Sequence, residues 1–476
     1  MTASAPADLF TLHGLLTVFG LLVYAVGSRT LQQRRHPSAA IGWLLMILLL
    51  PEIGVPLYLL FGTRKLPKVK ARTALPAGAL DERVVPAWAQ RLTASMGLAP
   101  PLSYWDLRLH QDGGQARRAL DELVDAARHS LDLSTVLLGR DEFGERLLDR
   151  LARRAREGVR VRLLVDGVGA LMGGRRDFSE VQARGIEVVR FVPPLRWPVQ
   201  WPPTGRTNLR NHRKVLIADG ERLWSGGRNL AGEYFDGADG REPWSDLSFD
   251  LRGPLAGEAA AIFQADWAFA RNDDATAAKA PAPPAQAAHQ LGSALERGLS
   301  VGQMIPTGPD YADDTLHMLM LAAFHGARER ILATTPYLVP DESLLMALVL
   351  AARRGVRVDL LIPARSNHRL ADIARNRSIR ELTAAGAKVW LSARMTHAKA
   401  VVVDDTLALC GSLNLDSRSL FLNYELMTAF YSRRDVQRFA QWVERELAAA
   451  APCQPRAPGL VRSIGEGLVL WLGFQL

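Results

Sequence analysis

Hydrophobic positions along this 476-residue chain are arranged in three ways. At the amino end, residues 9–28 (LFTLHGLLTVFGLLVYAVGS) and 39–61 (AAIGWLLMILLLPEIGVPLYLLF) are nearly continuous apolar runs. Each reaches the roughly 20 residues that a membrane span requires. The first eight residues hold no Lys or Arg, unlike the start of a cleaved leader. Together the runs predict a transmembrane helical hairpin. Pro51 and Glu52 interrupt the second run, so a buried core helix is its alternative reading. A glutamate at that depth is costly unless the helix ends shift, the chain re-enters, or the carboxylate finds a partner.

Beyond residue 80 the pattern changes to short Val/Leu-rich runs alternating with helical periodicity, which predicts an α/β architecture. It does so twice. LDLSTVLLG (131–139), a helical stretch through LARRAREG (151–158), VRVRLLVD (159–166) and GIEVVRF (185–191) form one series. RILATTPYLV (330–339), ALVLAARRG (347–355), VRVDLLIP (356–363) and GAKVWLS (386–392) form the other. Such an internal repeat predicts two duplicated units packed together. The third regime is the Ala/Pro-rich connector at 271–290, whose composition cannot build a core. The expected organisation is a hairpin with a basic juxtamembrane segment over 1–72, a first lobe over 80–270, the linker, a second lobe over 291–452, and a tail over 453–476. A proline-rich stretch, PPLRWPVQWPPTG (193–205), excludes regular structure. Its Trp197 and Trp201 suit either a membrane-facing rim or packing on the domain body.

Composition adds a partner class. Lys and Arg total 58 against 49 Asp and Glu, a formal charge of +9 with pI near 9.8. That suits an anionic partner, nucleic acid or acidic lipid. Arg29, Arg34 and Arg35 lie between the apolar runs, and Arg64, Lys65, Lys68, Lys70 and Arg72 follow them, so the positive-inside rule receives conflicting votes. Two cysteines, Cys410 and Cys453, exclude a disulfide scaffold and a cysteine-rich zinc site.

The chemistry sits in a second repeated element. HRKVLIADGERLWSGGRN places His212, Lys214, Asp219, Gly226, Gly227 and Asn229; HAKAVVVDDTLALCGSLN places His397, Lys399, Asp404, Gly411, Ser412 and Asn414. The spacing H-x-K-x4-D-x6-G-[G/S]-x-N is the same in both. Positions i and i+2 of a strand share a face, so each His and Lys are expected to project together. VLIA (215–218) and AVVV (400–403) anchor the strands. Brought together, the halves offer two imidazoles, two ammonium groups and two amides around one anion, which is what displacement at a phosphodiester needs.

This pattern resembles the phospholipase D superfamily. NLRNHRKVLIADG (208–220), GGRNLAGEYFDG (226–237), PWSDLSFDLRGP (243–254), GSLNLDSRSLFLNYE (411–425) and VPLYLLFGTRKL (55–66) narrow it to the bacterial cardiolipin synthases. The resemblance implies two similar phospholipase-D-type lobes, mixed sheets flanked by helices, related by a pseudo-two-fold axis. It implies phosphatidyl transfer between two phosphatidylglycerol molecules through a phosphohistidine, with release of glycerol. His212 would be the nucleophile and His397 the acid–base, and these two roles could be reversed. Lys214, Lys399, Asn229 and Asn414 would bind phosphoryl oxygens, with no cofactor and no metal. Glu425, eleven residues after Asn414, stands where the family places a histidine-orienting carboxylate. The matching position after Asn229 is Gly240, so Asp246 is the candidate there and GADGRE (237–242) reads as an extra loop. Each carboxylate is expected within hydrogen-bond reach of its own histidine. Asp219 and Asp404 read as strand-end structural residues.

Arg210, Asn211 and Arg418 read either as steering a second anionic headgroup or as a solvated face. His13, His317, His325 and His368 read as structural or surface residues. The implied setting is the bacterial inner membrane, multi-pass, with the lobes on the cytoplasmic side and an anionic phospholipid as substrate. A phospholipase or a transferase using another alcohol is the alternative. A nuclease ranks lower, since a membrane hairpin has no role in it and no nucleic-acid-binding module is visible. A silent scaffold ranks lower because both motifs are intact.

Overall fold

The structure is a computed structural model describing residues 5–30, 37–62, 82, 84–173, 176–192, 208–238, 240–272, 299–455 and 457–472. The basic cluster at 64–72, Trp197 and Trp201 with their proline-rich stretch, and residues 273–290 of the linker lie outside the described residues.

The repeated Val/Leu runs form strands for a reason visible in their burial. In the first lobe β1 (Leu102–His110), β2 (Ser130–Thr135), β3 (Arg160–Asp166), β4 (Glu187–Phe191), β5 (Val215–Ala218), β6 (Arg222–Gly226) and β7 (Ser248–Arg252) lie in the order 4-3-2-5-6-7-1. β3 runs parallel to both β2 and β4 and, after Arg160, is buried along its whole length. Helices cover both faces there, so the strand has no solvent side on which polar residues would alternate. The covering helix Glu142–Arg156 starts on Asp141, whose carboxylate accepts from the Gly144 amide. Acidic Glu142 and Glu145 occupy its first turn and Arg153, Arg154 and Arg156 its last, matching the helix dipole. Its inner stripe buries Phe143, Leu147, Leu148 and Leu151.

The second lobe repeats the plan. β8 (Ser300–Thr307), β9 (Arg330–Thr334), β10 (Leu338–Val339), β11 (Arg357–Pro363), β12 (Lys388–Ser392), β13 (Ala400–Val403), β14 (Leu407–Gly411), β15 (Leu415–Asp416), β16 (Glu425–Phe430) and β17 (Ala451–Pro452) follow in chain order. Apart from the small β10–β15 pair they continue one 15-stranded sheet, ordered 17-12-11-9-13-14-16-8 and then 1-7-6-5-2-3-4. The lobes join edge to edge where β1 pairs antiparallel with β8, Tyr104 opposite Ser300. Read outward from that seam, the strand order of one lobe mirrors the other. Helices Pro254–Arg271 and Arg433–Ala448 share one apolar cluster across the seam, with Phe263 and Trp267 from the first, Phe439 and Trp442 from the second, and Tyr104, Phe249 and Phe430 from the sheet. The Tyr104 hydroxyl donates to Asp435 over 2.7 Å, tying the halves together.

The amino-terminal segment differs from the expected transmembrane hairpin in two respects. Residues 9–28 fall within a single helix, Ala5–Thr30, but the second run is two helices, Pro37–Leu49 and Pro51–Phe61, broken where Leu50 leaves helical geometry ahead of Pro51. Proline at the first helical position has no amide to continue the preceding helix. Among the described residues, no helix is long and apolar enough to cross a membrane. Glu52 has a partner, His13 of the first helix, at 2.8 Å. The expected tail contains a helix, Leu460–Leu472, held on helix Arg369–Ala384 by Glu466, which bonds both Arg380 and Arg462.

Candidate active site

Neither histidine sits on its strand. His212 and Lys214 lie in the extended lead-in to β5, and His397 and Lys399 in the lead-in to β13. What holds these lead-ins is the opposite lobe. The His212 amide donates to the Tyr424 carbonyl at 2.8 Å, and the Tyr424 amide donates to the Arg210 carbonyl at 2.9 Å. On the other side the His397 amide donates to the Ser245 carbonyl at 2.7 Å, and the Ser245 amide to the Met395 carbonyl at 2.9 Å. Each histidine backbone is therefore clamped across the seam.

The side chains cross as well. His212 Nδ1 lies 2.9 Å from Glu425, and His397 Nδ1 lies 2.8 Å from Asp246. Both carboxylates hold a histidine, but each holds that of the other half, not its own. The register explains why. Gly226 pairs with Ser248 in β6–β7, and Gly411 pairs with Met427 in β14–β16. Asp246 and Glu425 each stand two residues before those partners, so they are topological equivalents. Asp246 follows Asn229 by seventeen residues and Glu425 follows Asn414 by eleven, a difference equal to the six residues of GADGRE. Asp246 leads into β7 and Glu425 opens β16, the strands next to the seam strands, so the carboxylates reach the facing lobe.

Burial sets the protonation. Both carboxylates are pushed up by desolvation, but their histidine bonds and nearby cations outweigh that and leave both below the ordinary range. Burial also lowers both imidazoles; Lys399, packed 3.0 Å from both ring nitrogens of His397, helps drive that group down to about 3. Ionised carboxylates beside neutral imidazoles fix Nδ1–H as the donor and leave Nε2 with its lone pair. Burial lowers Lys214 to about 8 and Lys399 to about 7. The field of each lysine is felt at the histidine of the other lobe, which puts all four groups in one site. His212 is the more open imidazole, its side chain 18% exposed against 6% for His397.

The remaining motif residues separate into two sets. Asn229 and Asn414 are buried, and the carboxamide oxygen of each has no partner. Asp219 and Asp404 stand at the far ends of β5 and β13 from the histidines, with φ of 55° and 50°. Asp219 accepts from the amides of Arg128, His129 and Ser130, and Asp404 from those of Arg328, Glu329 and Arg330. They staple the start of β2 and β9. Gly227 is glycine because Asp246 packs over it: a Cβ there would meet the carboxylate at 2.2 Å. At Ser412 the longer Glu425 leaves room, and the hydroxyl donates to it. Asn211 does not face a headgroup; it is buried and donates to Asp266. Arg210 and Arg418 bond the backbone carbonyls of Val192, Leu209 and Asn208. Among the described residues no group of three or more His, Cys, Asp or Glu side chains is disposed to hold a metal ion.

Sequence reasoning missed Arg213, between His212 and Lys214. It is buried, paired with Asp266, and donates to the Glu425 and Thr307 carbonyls. Flanked by Asn211, His212 and Lys214 in a polar lead-in, it carried no signal that set it apart.

The family described as "Cardiolipin synthase, PLD-like domain" matches residues 120–267 and 320–447, one lobe each. The chain belongs to this family. Residues 15–62 match a second family, described as "Phospholipase_D-nuclease N-terminal". Cardiolipin synthase A of Erwinia tasmaniensis is 31% identical over 440 residues, 88% of each chain. Cardiolipin synthase 1 of Bacillus anthracis is 28% identical over 448 residues, 90% of this chain and 86% of that one. Among solved structures, phosphatidylserine synthase of Haemophilus influenzae superposes with a TM-score of 0.60 at 14% identity, covering 82% of this chain and all of the other. That likeness shows the shared two-lobe fold.

Proposed function

We propose that this chain is a cardiolipin synthase that moves a phosphatidyl group from one phosphatidylglycerol to another. The observation that carries the chemistry is the crossed pair of carboxylate-held histidines beside two buried lysines. Two identical imidazole sites are needed because one end of the bond is attacked while the other must gain a proton.

In the proposed reaction His212 Nε2 attacks phosphorus, and the P–O bond to the departing glycerol breaks. His397, neutral in the resting site, takes a proton on Nε2 from the Lys399 ammonium 3.0 Å away and passes it to this oxygen. The product is a phosphatidyl-histidine and free glycerol. A hydroxyl of the second phosphatidylglycerol then gives its proton to His397, attacks phosphorus and expels His212, completing cardiolipin. The greater exposure of His212 supports its role as nucleophile. Lys214, Lys399, Asn229 and Asn414 surround the phosphoryl oxygens as charge develops on them. The large apolar side chains exposed along the first helix, Leu12, Leu15, Val18, Leu22 and Val26, support a bilayer setting for the amino-terminal segment. We place it in the inner membrane with the lobes on the cytoplasmic side.

The test uses purified full-length protein in mixed micelles with phosphatidylglycerol, products being read by mass spectrometry and acid-quenched protein searched for a phosphate adduct. Cardiolipin with glycerol and an adduct on the His212 peptide are expected. His397→Ala should lose turnover of phosphatidylglycerol yet partly recover the first step with a nitrophenyl phosphodiester, whose leaving group needs no acid. His212→Ala should not recover. An adduct on His397 would reverse the roles, and phosphatidic acid alone would mean a hydrolase.

A further inference from the structure

We propose that Tyr234 is a positioning residue of this site, orienting the Asn229 carboxamide and bracing the His397 ring. The proposal rests on the phosphoryl-transfer reading above. Tyr234 ends the short turn Gly232–Tyr234 in the first lobe and is 3% exposed. Its hydroxyl accepts from Asn229 Nδ2 at 2.8 Å. Its ring stands edge-on to His397, centroids 5.1 Å apart, and Trp244 closes the corner at 4.8 Å from Tyr234 and 5.7 Å from His397.

The turn that carries Tyr234 is itself fixed. The Gly232 amide donates to Asp141, the buried Arg228 donates to the Tyr234 carbonyl, and Phe235 stacks on Phe143 at 4.1 Å. A hydroxyl so anchored can hold a carboxamide in place. Burial raises its pKa well above the ordinary phenol value, so it keeps its proton. It can therefore accept from Nδ2, as seen, or donate to Oδ1 after the carboxamide turns over. Asn229 Oδ1 is buried with no partner in the present orientation. An arriving phosphoryl oxygen favours the turned form, which presents the NH2 group to the anion and gives Oδ1 the tyrosine proton. The bond between Asn229 and Tyr234 is kept in both forms, the hydroxyl proton turning from the half-buried Glu233 carboxylate to Oδ1.

The matching position of the second lobe is occupied differently. Five residues after Asn414, as Tyr234 is five after Asn229, stands Ser419. Its amide and hydroxyl both go to Asp416.

The test is Tyr234→Phe in the full chain, which keeps the ring against His397 and Trp244 and removes only the oxygen. Rates are taken per folded protein by circular dichroism, with both phosphatidylglycerol and a nitrophenyl phosphodiester. We expect kcat to fall about 10- to 50-fold with either substrate, KM to move less than about 3-fold, and the unfolding midpoint to hold. Adding Tyr234→Phe to Asn229→Ala should cause no further loss, since the hydroxyl acts through that amide. Full activity in Tyr234→Phe, a change confined to KM, or losses that multiply in the double variant would each overturn the proposal. Wild-type hydrolysis of the nitrophenyl ester without cardiolipin formation would defeat the headgroup reading and leave this test intact.

Discussion

The two lobes share strand order, motif spacing and crossed carboxylates, yet they solve the same packing problem with different residues. In the first lobe a buried Arg213–Asp266 pair lies under the histidine lead-in, with Asn211 bonded to the same aspartate. In the second, the matching position is Ala398, fully buried in the apolar seam cluster. The first lobe presents a short carboxylate over a glycine; the second presents a long one over a serine. Duplication therefore supplies the frame, while each half adapts to the neighbour it must hold. The lesson is that equivalence in sequence is not equivalence in environment.

The largest effect expected comes from removing the charge that orients each imidazole. Asp246→Asn and Glu425→Gln should each lower kcat by about 10³-fold or more, because a carboxamide can stabilise the wrong tautomer and cannot balance an imidazolium. If the crossing is correct, trapped phosphohistidine should vanish in Glu425→Gln, which holds His212. Asp246→Asn should retain adduct formation with a nitrophenyl ester. The reverse outcome would mean that each carboxylate serves its own half.

A smaller effect separates the glycine from the serine. Gly227→Ser forces a side chain into Asp246 and should cost about 100-fold in kcat together with a lower unfolding midpoint. Ser412→Gly removes the hydroxyl's bonds to Glu425 and to the Leu426 amide without adding bulk, and should cost about 5-fold, with the fold retained. Equal losses at the two positions would erase the distinction drawn between the lobes.

The mildest test is pH. Lys399 near 7 and Lys214 near 8 carry their charge below those values and lose it above them. The kcat/KM of the free enzyme should accordingly fall as pH rises through about 7 to 8. A bound phosphodiester favours the ammonium forms, so the corresponding fall in kcat should come at higher pH. Lys399→Arg, whose guanidinium stays charged, should move the lower limb upward. A flat kcat/KM between pH 6 and 9 would show that the lysines are not titrating there.

Much of this molecule was readable beforehand, for identifiable reasons. β3 and β11 are buried on both faces, so they announce themselves as continuous apolar runs. The eight motif residues stood out because their spacing recurs, whereas Glu425 and Asp246, at unequal spacings, came from the family resemblance. The seam strands were not read. LSYWDLRLH and SVGQMIPT carry no strong alternation, since their edges meet another lobe and their partners are far away in sequence. Because the seam was unread, the crossing of Asp246 and Glu425 was unreadable too. Periodicity placed His212 and His397 on strands, whereas cross-lobe backbone bonds hold them in extended lead-ins that belong to no strand of their own lobe. Tyr234 lies within GGRNLAGEYFDG, but nothing in its spacing distinguishes a hydroxyl that bonds an asparagine from one that faces solvent.

The crossed hydrogen bonds also set a schedule for the growing polypeptide. When a ribosome has made the first lobe, His212 and Lys214 are already present, yet the carboxylate that selects the reactive tautomer is still 213 positions away. Asp246 likewise waits for His397. A partial product attached to its ribosome beside a bilayer thus carries unassembled half-sites. Competence arrives in one event, after residue 425 has emerged and β8 has closed against β1. A chain abandoned before that point holds neither histidine against its carboxylate.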